Sequence, residues 1–241
     1  MRVGIVGPGR LGRSLALLLE RAGHRVEVAG RGGDPQADVV LLTVPDGEIA
    51  TAAARITRAP VLLHCSGATG VEVLRPHRPA GSLHPLMTFP GPEISLPDLA
   101  GVPAAVAGDP EAVRVGTDLA RSLGLRPFEV SGDRRMYHAA AVMAGNFATV
   151  LLAEASRVLA AAGVDPAEAP ALLAPLALES LRNAAADPAA ALTGPVARGD
   201  EAVLQGHREA LGEAGLTDIR SLYDLLTASA RRLASDERKT S

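Results

Sequence analysis

The chain has 241 residues, a single cysteine (Cys65), 2% aromatic residues with no Trp, and a formal net charge of −3. One cysteine excludes an internal disulfide and a cysteine-based zinc site, and an acidic balance without a basic run gives no support to a nucleic-acid partner, so none is expected. Hydrophobic residues at 47% suffice for a packed core, which must be built from Ala, Leu and Val.

The first strand is Val3-Gly4-Ile5-Val6, followed at once by Gly7-Pro8-Gly9-Arg10-Leu11-Gly12 and a helical run to Gly23. Strand, glycine turn, helix is the context that makes G-x-G-x-x-G informative. Gly7 permits the tight turn, Gly9 lets a pyrophosphate approach the backbone, and Gly12 lets helix and strand pack closely. The helix N-terminus presents free N–H groups to the phosphates. Gly7, Gly9, Leu11 and Gly12, with Arg10 beside them, are the expected pyrophosphate contacts. The plain alternative is a glycine turn without a ligand.

The second strand is Arg25–Ala29. The acid that grips the ribose of NAD in such folds would follow it, and that position is Gly30, with Arg31 next. A glycine removes the repulsion an acid would exert on a 2′-phosphate, and arginine offers a planar fork that suits phosphate. NADP(H) is therefore expected as the cofactor, with Arg31 on its 2′-phosphate. Asp34, in the same glycine-rich loop, is the acid that opposes this reading.

Residues 38–44 form an unbroken apolar run, as expected of a strand buried on both faces. The link from the second strand is too short for a full crossover helix. Asp46 reads as the N-cap of a helix to Ile56. Further strands are read at residues 60–65, closing on Ser66-Gly67, at 81–85, at 102–107 and at 126–130, with a helix over residues 110–123. This alternation argues for an α/β, doubly wound parallel sheet. Ligands of such sheets lie outside the carboxyl ends of the strands. Thr43, Ser66 and His84 stand at three of those ends, and Val44, Pro45 and Ser66 are expected to line the nicotinamide half.

The pattern changes at Ser131-Gly132-Asp133. Residues 134–162 contain no Pro and no Gly except Gly145, which predicts a helix of roughly 40 Å, stopped at Gly163. It is apolar nearly all round, so burial on most faces is expected. Helices follow over about 166–186, 200–214 and 217–234, with a polar tail from Ser235 expected to fray. The organisation read is a dinucleotide-binding domain over residues 1–131 and an all-α domain for substrate and dimerisation over 132–241. More apolar helix is present than one small domain covers, so a homodimer through the helical domain is expected. No apolar stretch is read as approaching the ~20 residues of a bilayer span, and the first strand leaves no room for a signal peptide. The expectation is a cytoplasmic chain without a membrane partner.

His84 ends a strand on the ligand side with its backbone restrained by Pro85, and imidazole titrates near neutral pH, so it is a candidate proton donor. The alternative is a histidine that pins the following loop. His138 and Asn146 lie eight apart on the long helix, where both can face one cleft; Tyr137 beside them is read as pointing elsewhere. His64 and Cys65 read as buried strand residues. Ser66, His84, Asn146 and Arg198 are the candidate substrate contacts, and Asp200 is first of all an N-cap. The scattered histidines form no metal constellation.

The opening glycine motif on an α/β-then-α chain resembles the 6-phosphogluconate dehydrogenase-like superfamily, which includes pyrroline-5-carboxylate reductase and prephenate dehydrogenase. Three stretches narrow this: Ser82-Leu83-His84-Pro85-Leu86-Met87-Thr88-Phe89, residues 137–147 around Met143-Ala144-Gly145-Asn146-Phe147, and residues 192–200 around Thr193-Gly194-Pro195. They are similar to bacterial Rossmann-like proteins with a C-terminal helical domain of unknown function, commonly described as NADP oxidoreductases. The resemblance covers essentially the whole chain. Hydroxyacid dehydrogenases of the superfamily carry a Lys four residues before an Asn on the long helix; here that position is Val142, and Lys239 is the chain's only lysine. The reading is an NADP(H)-dependent oxidoreductase acting on C=N or C=O in a small anionic metabolite, with His84, His138 and Asn146 catalytic. The alternative is a non-catalytic NADP-binding sensor or interaction module.

Overall fold

The computed structural model describes the backbone of residues 1–240 and the side chains of residues 1–235. The chain packs as two compact units, Met1–Gly145 and Asn146–Ser241. The first holds β1 (Arg2–Val6), α1 (Arg10–Arg21), β2 (Arg25–Ala29), β3 (Val39–Leu42), α2 (Ile49–Ala53), β4 (Val61–His64), β5 (Ala80–Pro85), β6 (Pro103–Gly108), α3 (Pro110–Ser122), β7 (Arg126–Glu129) and α4 (Arg134–Val142). The strands form one seven-stranded sheet in the order β2-β1-β3-β4-β5-β6-β7. No helix stands between β2 and β3, as their short spacing requires.

The sheet is a doubly wound Rossmann sheet, but not a wholly parallel one. β1 to β5 run in one direction, while β6 pairs antiparallel with β5 and β7 runs parallel to β6. Two glycines admit the reversed pair. A Cβ on Gly81 would meet the Ala107 carbonyl oxygen at 2.5 Å, and one on Gly108, at φ +136°, would meet that of Ala80 at the same distance.

Strand alternation divides the core. Ile5, Leu41, Leu63 and Leu83 bury against Leu15 and Leu19 of α1 and Leu119 of α3. Val6, Val40, Leu42 and Leu62 bury on the other face against Ile49 and Ala53 of α2. With both faces covered, β3 and β4 are buried at every position and apolar at all but His64, as parallel strands of this kind are.

The helix from Arg134 continues through a π turn (Met143–Phe147) into α5 (Ala148–Ala161). Gly163 then stops it at φ +95°. The second unit adds α6 (Ala169–Ala184), a short α7 (Pro195–Arg198), α8 (Glu201–Glu213) and α9 (Thr217–Thr240). The side chains of the tail expected to fray lie outside the described residues beyond Ser235.

Two expectations about the long helix are corrected. It is not buried: no residue of α4 and only Ser156 of α5 is buried. The helix Arg134–Ala161, whose most apolar 18-residue window has a mean hydropathy of 1.4, is also long and apolar enough by length and composition to cross a membrane. Counting consecutive apolar residues missed this, because isolated His, Asn, Thr and Ser interrupt the run without carrying charge.

The junction of β1 and α1 is the tightest part of the first unit. A Cβ on Gly12 would sit 2.1 Å from the Gly7 carbonyl oxygen and 2.6 Å from Thr43 Oγ1, whereas one on Gly9 would meet nothing within 4 Å. Gly12→Ala should therefore cost about 1–3 kcal/mol in urea unfolding, and Gly9→Ala less than about 1 kcal/mol. Equal stability of the two variants would contradict the packing described.

Candidate functional site

The five parallel strands bring their carboxyl ends to one edge, and two groups of residues gather there. The first surrounds the glycine turn. Gly7, at φ +112°, turns the chain where no side chain fits: a Cβ there would lie 3.0 Å from the Thr43 backbone. The Thr43 hydroxyl donates to the Gly7 carbonyl at 2.8 Å and fixes the turn against β3. Gly9 is the N-cap of α1 and supplies no side-chain cap, so the first N–H groups of Arg10, Leu11 and Gly12 are left for an outside acceptor. A cavity of about 460 Å³ opens at this point, lined by Gly7, Pro8, Gly9, Arg31, Thr43, Val44 and Pro45.

Arg31 is exposed at the rim and paired with Glu48 at 2.7 Å. Asp34, the acid that opposed the phosphate reading, is committed elsewhere. Its carboxylate accepts the Thr57 hydroxyl at 2.6 Å and the N–H groups of Thr57 and Arg58. The cradle thus combines a helix N-terminus, a backbone approach free of side chains and one guanidinium, a donor set that fits phosphate.

The second group sits where β4 and β5 end. His84 Nδ1 lies 2.7 Å from the Tyr137 hydroxyl, which corrects the expectation that Tyr137 points elsewhere. The His138 ring stands edge-on to His84, with centroids 6.0 Å apart. Both rings close on Gly67: a Cβ there would meet His138 Cδ2 at 2.6 Å and His84 Nε2 at 2.9 Å. Arg134, one turn before this pair on α4, donates from Nη2 to the Ser66 carbonyl at 2.9 Å. Arg134, Tyr137 and His138 occupy positions i, i+3 and i+4, so they share one helix face.

Ser66 is the hinge of this group. Its hydroxyl donates to Asp46 at 2.9 Å and accepts the N–H groups of Ala68 and Thr69. Asp46 is therefore not the side-chain cap it was read as; Pro45 caps a 3-10 turn without a side-chain bond. The Asp46–Ser66 bond ties the cradle's edge at Pro45 to the loop beneath the histidines.

Burial, joined by the positive charges of His138 and Arg134, holds His84 down at about 4. Its ring is neutral near pH 7, which corrects its reading as a donor titrating near neutrality. His64 is completely buried and held down to about 4 by that burial and by Arg134. Burial pushes the Cys65 thiol up to about 12, so it is an inert buried residue, as expected, one position past the end of β4.

The remaining candidates belong to the second unit. Asn146 is exposed within the π turn, and Arg198 is exposed at the end of α7. Asp200 caps α8 by accepting the Val203 N–H at 3.3 Å. Among the described residues no cluster of His, Cys, Asp or Glu suits a metal ion.

A family model described as a domain of unknown function, DUF2520, matches residues 102–230. The fold is also that of several solved structures. A candidate NADP oxidoreductase from Bacteroides fragilis is 22% identical over 96% of this chain and 98% of its own, with a TM-score of 0.81. Protein TM1727 from Thermotoga maritima is 26% identical over 98% and 99%, with a TM-score of 0.73. A 1-pyrroline-5-carboxylate reductase from Streptococcus pyogenes is 17% identical over 96% and 98%, with a TM-score of 0.64. Among curated proteins no relative matches the chain.

The two lowered histidines have a consequence for stability. Each binds its proton more weakly folded, near 4, than unfolded, near 6.5. The unfolded chain therefore takes up more protons across that window, and stability must fall as pH drops from about 6.5 to about 4. The loss is on the order of 3 kcal/mol per histidine. Urea unfolding across this range should show the decline, and His84→Gln should flatten part of it. A flat profile in the parent protein would refute the assigned burial.

Proposed function

The chain belongs to the family defined by the domain of unknown function DUF2520, and from that premise we propose that it is an NADP(H)-dependent oxidoreductase acting on a C=N or C=O bond of a small anionic metabolite. The observation that carries this reading is the cradle: open space over Gly9, an uncapped helix N-terminus and Arg31 across the cavity. The description of the Bacteroides fragilis structure as a candidate NADP oxidoreductase supports it.

In this reading Gly7, Gly9, Leu11 and Gly12, with Arg10 alongside, hold the pyrophosphate, and Arg31 holds the 2′-phosphate in exchange for Glu48. Val44, Pro45 and the turn at Ser66 line the nicotinamide half, where the bound cofactor supplies hydride. Ser66 acts there by holding the turn in place, since its hydroxyl, N–H and carbonyl are all already committed. His84 and His138 orient the substrate and hold its proton, and Asn146 and Arg198 supply further substrate contacts. Residues 1–131 then serve the dinucleotide and 132–241 the substrate and the subunit contact.

A homodimer through the helical unit belongs to the same reading. Leu172, Leu176, Leu178 and Leu181 of α6 and Leu225 of α9 are all more than half exposed. An apolar cavity of about 480 Å³ lies among α5, α8 and α9. Apolar surface on this scale marks an association site, and a second copy of the chain rather than lipid covers it in this reading, leaving a soluble cytoplasmic enzyme.

Two measurements test the proposal. Titration of nicotinamide fluorescence should show NADPH bound at least tenfold more tightly than NADH, and Arg31→Asp should remove that preference, since a charge-assisted contact is replaced by a repulsion. NADPH affinity unchanged in Arg31→Asp would remove Arg31 from the site, and no binding of either nucleotide would sink the oxidoreductase reading. Sedimentation equilibrium should give a dimer, with Leu176→Glu combined with Leu178→Glu shifting it to monomer; a monomeric parent chain would end the subunit argument.

A further inference from the structure

Arg134 is half-buried and carries a charge that the protein does not neutralise. Its Nη2 donates to a neutral carbonyl, while Nε and Nη1 are buried without any acceptor. Glu72 is the carboxylate whose charge reaches it, and it makes no hydrogen bond to the guanidinium. Orphaned buried donors in a native structure call for an ion, a ligand or a catalytic role.

Next to Ser66, whose carbonyl Arg134 holds, Gly67 is closed in by the edges of His84 and His138, which leave no space for a side chain at 67; both rings are only partly buried. Tyr137 occupies His84 Nδ1, so in the neutral ring it is Nε2 that carries a hydrogen on the Gly67 side when the phenol donates.

We propose that Gly67, His84, His138 and the half-buried Arg134 form a carboxylate site that takes up one proton together with its ligand. This rests on the oxidoreductase reading only in making that ligand the substrate, which becomes a keto or imino acid. One fixed cation and one protonatable ring pair match a single negative charge better than a phosphate dianion. The groups facing His84 are Tyr137, His138 and Arg134 from α4, His64 from β4 and Asp46 from the turn after β3. Asp46 is occupied by the Ser66 hydroxyl, so in the free protein the positive groups prevail and the ring stays neutral. A bound carboxylate reverses that balance and permits the imidazolium.

The proton so gained is the one the reduction needs. The bound cofactor would supply hydride to the substrate carbon, and the heteroatom that receives the π pair of C=O or C=N would take its proton from His84 Nε2. The imidazole is left neutral, and the product is a hydroxy or amino acid.

The test is a histidine NMR titration from about pH 8 to about pH 4, with His84→Gln to assign the resonance. It is run with sodium pyruvate, with neutral pyruvamide, with inorganic phosphate and with sodium chloride at matched ionic strength. Pyruvate should raise the His84 midpoint by at least one unit, a tenfold or greater linkage between ligand and proton. Pyruvamide and chloride should leave it in place. Arg134→Met should abolish the rise, and Arg134→Lys should retain part of it; should either variant fail to fold, the comparison in the parent protein decides alone. A midpoint unmoved by pyruvate, or moved equally by chloride or more by phosphate, overturns the proposal. NADPH binding is read separately by fluorescence on the same sample. A pyruvate-induced rise without NADPH binding refutes the cofactor reading and upholds the carboxylate site, while NADPH binding without the rise does the reverse.

Discussion

Every functional group of the first unit depends on one constraint: β1 to β5 run the same way. Their carboxyl ends therefore share one edge, and loops far apart in sequence are forced to meet there. Gly7, Thr43, Ser66 and His84 are neighbours for that reason alone. Hydrogen bonds then set the fine positions. Thr43 locks the glycine turn to β3, and Asp46 holds the Ser66 turn. The cradle and the histidine pair are thus braced by the same loop, residues 43–46, so a shift at one is felt at the other.

The parts of this arrangement legible in the sequence are those that the backbone dictates. The glycine spacing announces where a side chain cannot fit, and Gly12 and Gly7 behave as that spacing demands. Asp34 was ambiguous because its neighbours Thr57 and Arg58 come from a loop more than twenty residues away. The reversal at β6 left no mark, since a strand buried on both faces is apolar in either direction. Tyr137 and Arg134 were missed for a different reason. Their helical spacing with His138 was present in the sequence, but nothing there says that this face meets the ends of β4 and β5. The π turn at Met143–Phe147 likewise has no compositional signature, because an extra residue in a turn is a matter of packing.

The long helix shows how composition misleads when it is read without a partner. An all-round apolar helix implies burial, yet the helix is open in the single chain, as are the leucines of α6. Burial was expected on most faces, and in the single chain the helix is open. What composition reports is the amount of apolar surface that must be covered, not what covers it. A lipid-facing helix would also tolerate poorly the charged pairs that α5 carries, since Arg157 is bonded to both Glu154 and Asp218, and intramembrane charges are costly. A protein partner leaves such pairs at the rim, in water.

The contrast between His64 and His84 separates structure from chemistry. Burial depresses both to about 4, so neither is charged near neutral pH and the shift alone does not distinguish them. Their surroundings do. His64 has no exposure, and its Nδ1 accepts the Ser66 N–H from the adjoining turn; a proton there would break the bond and leave a charge in the core. His84 is only partly enclosed, its Nδ1 faces a hydroxyl that can reverse its role as donor or acceptor, and its other edge borders Gly67. Protonation of His84 therefore needs only a counter-charge, and that charge can arrive from outside. A depressed histidine marks a working site when its environment lets an incoming ligand undo the depression.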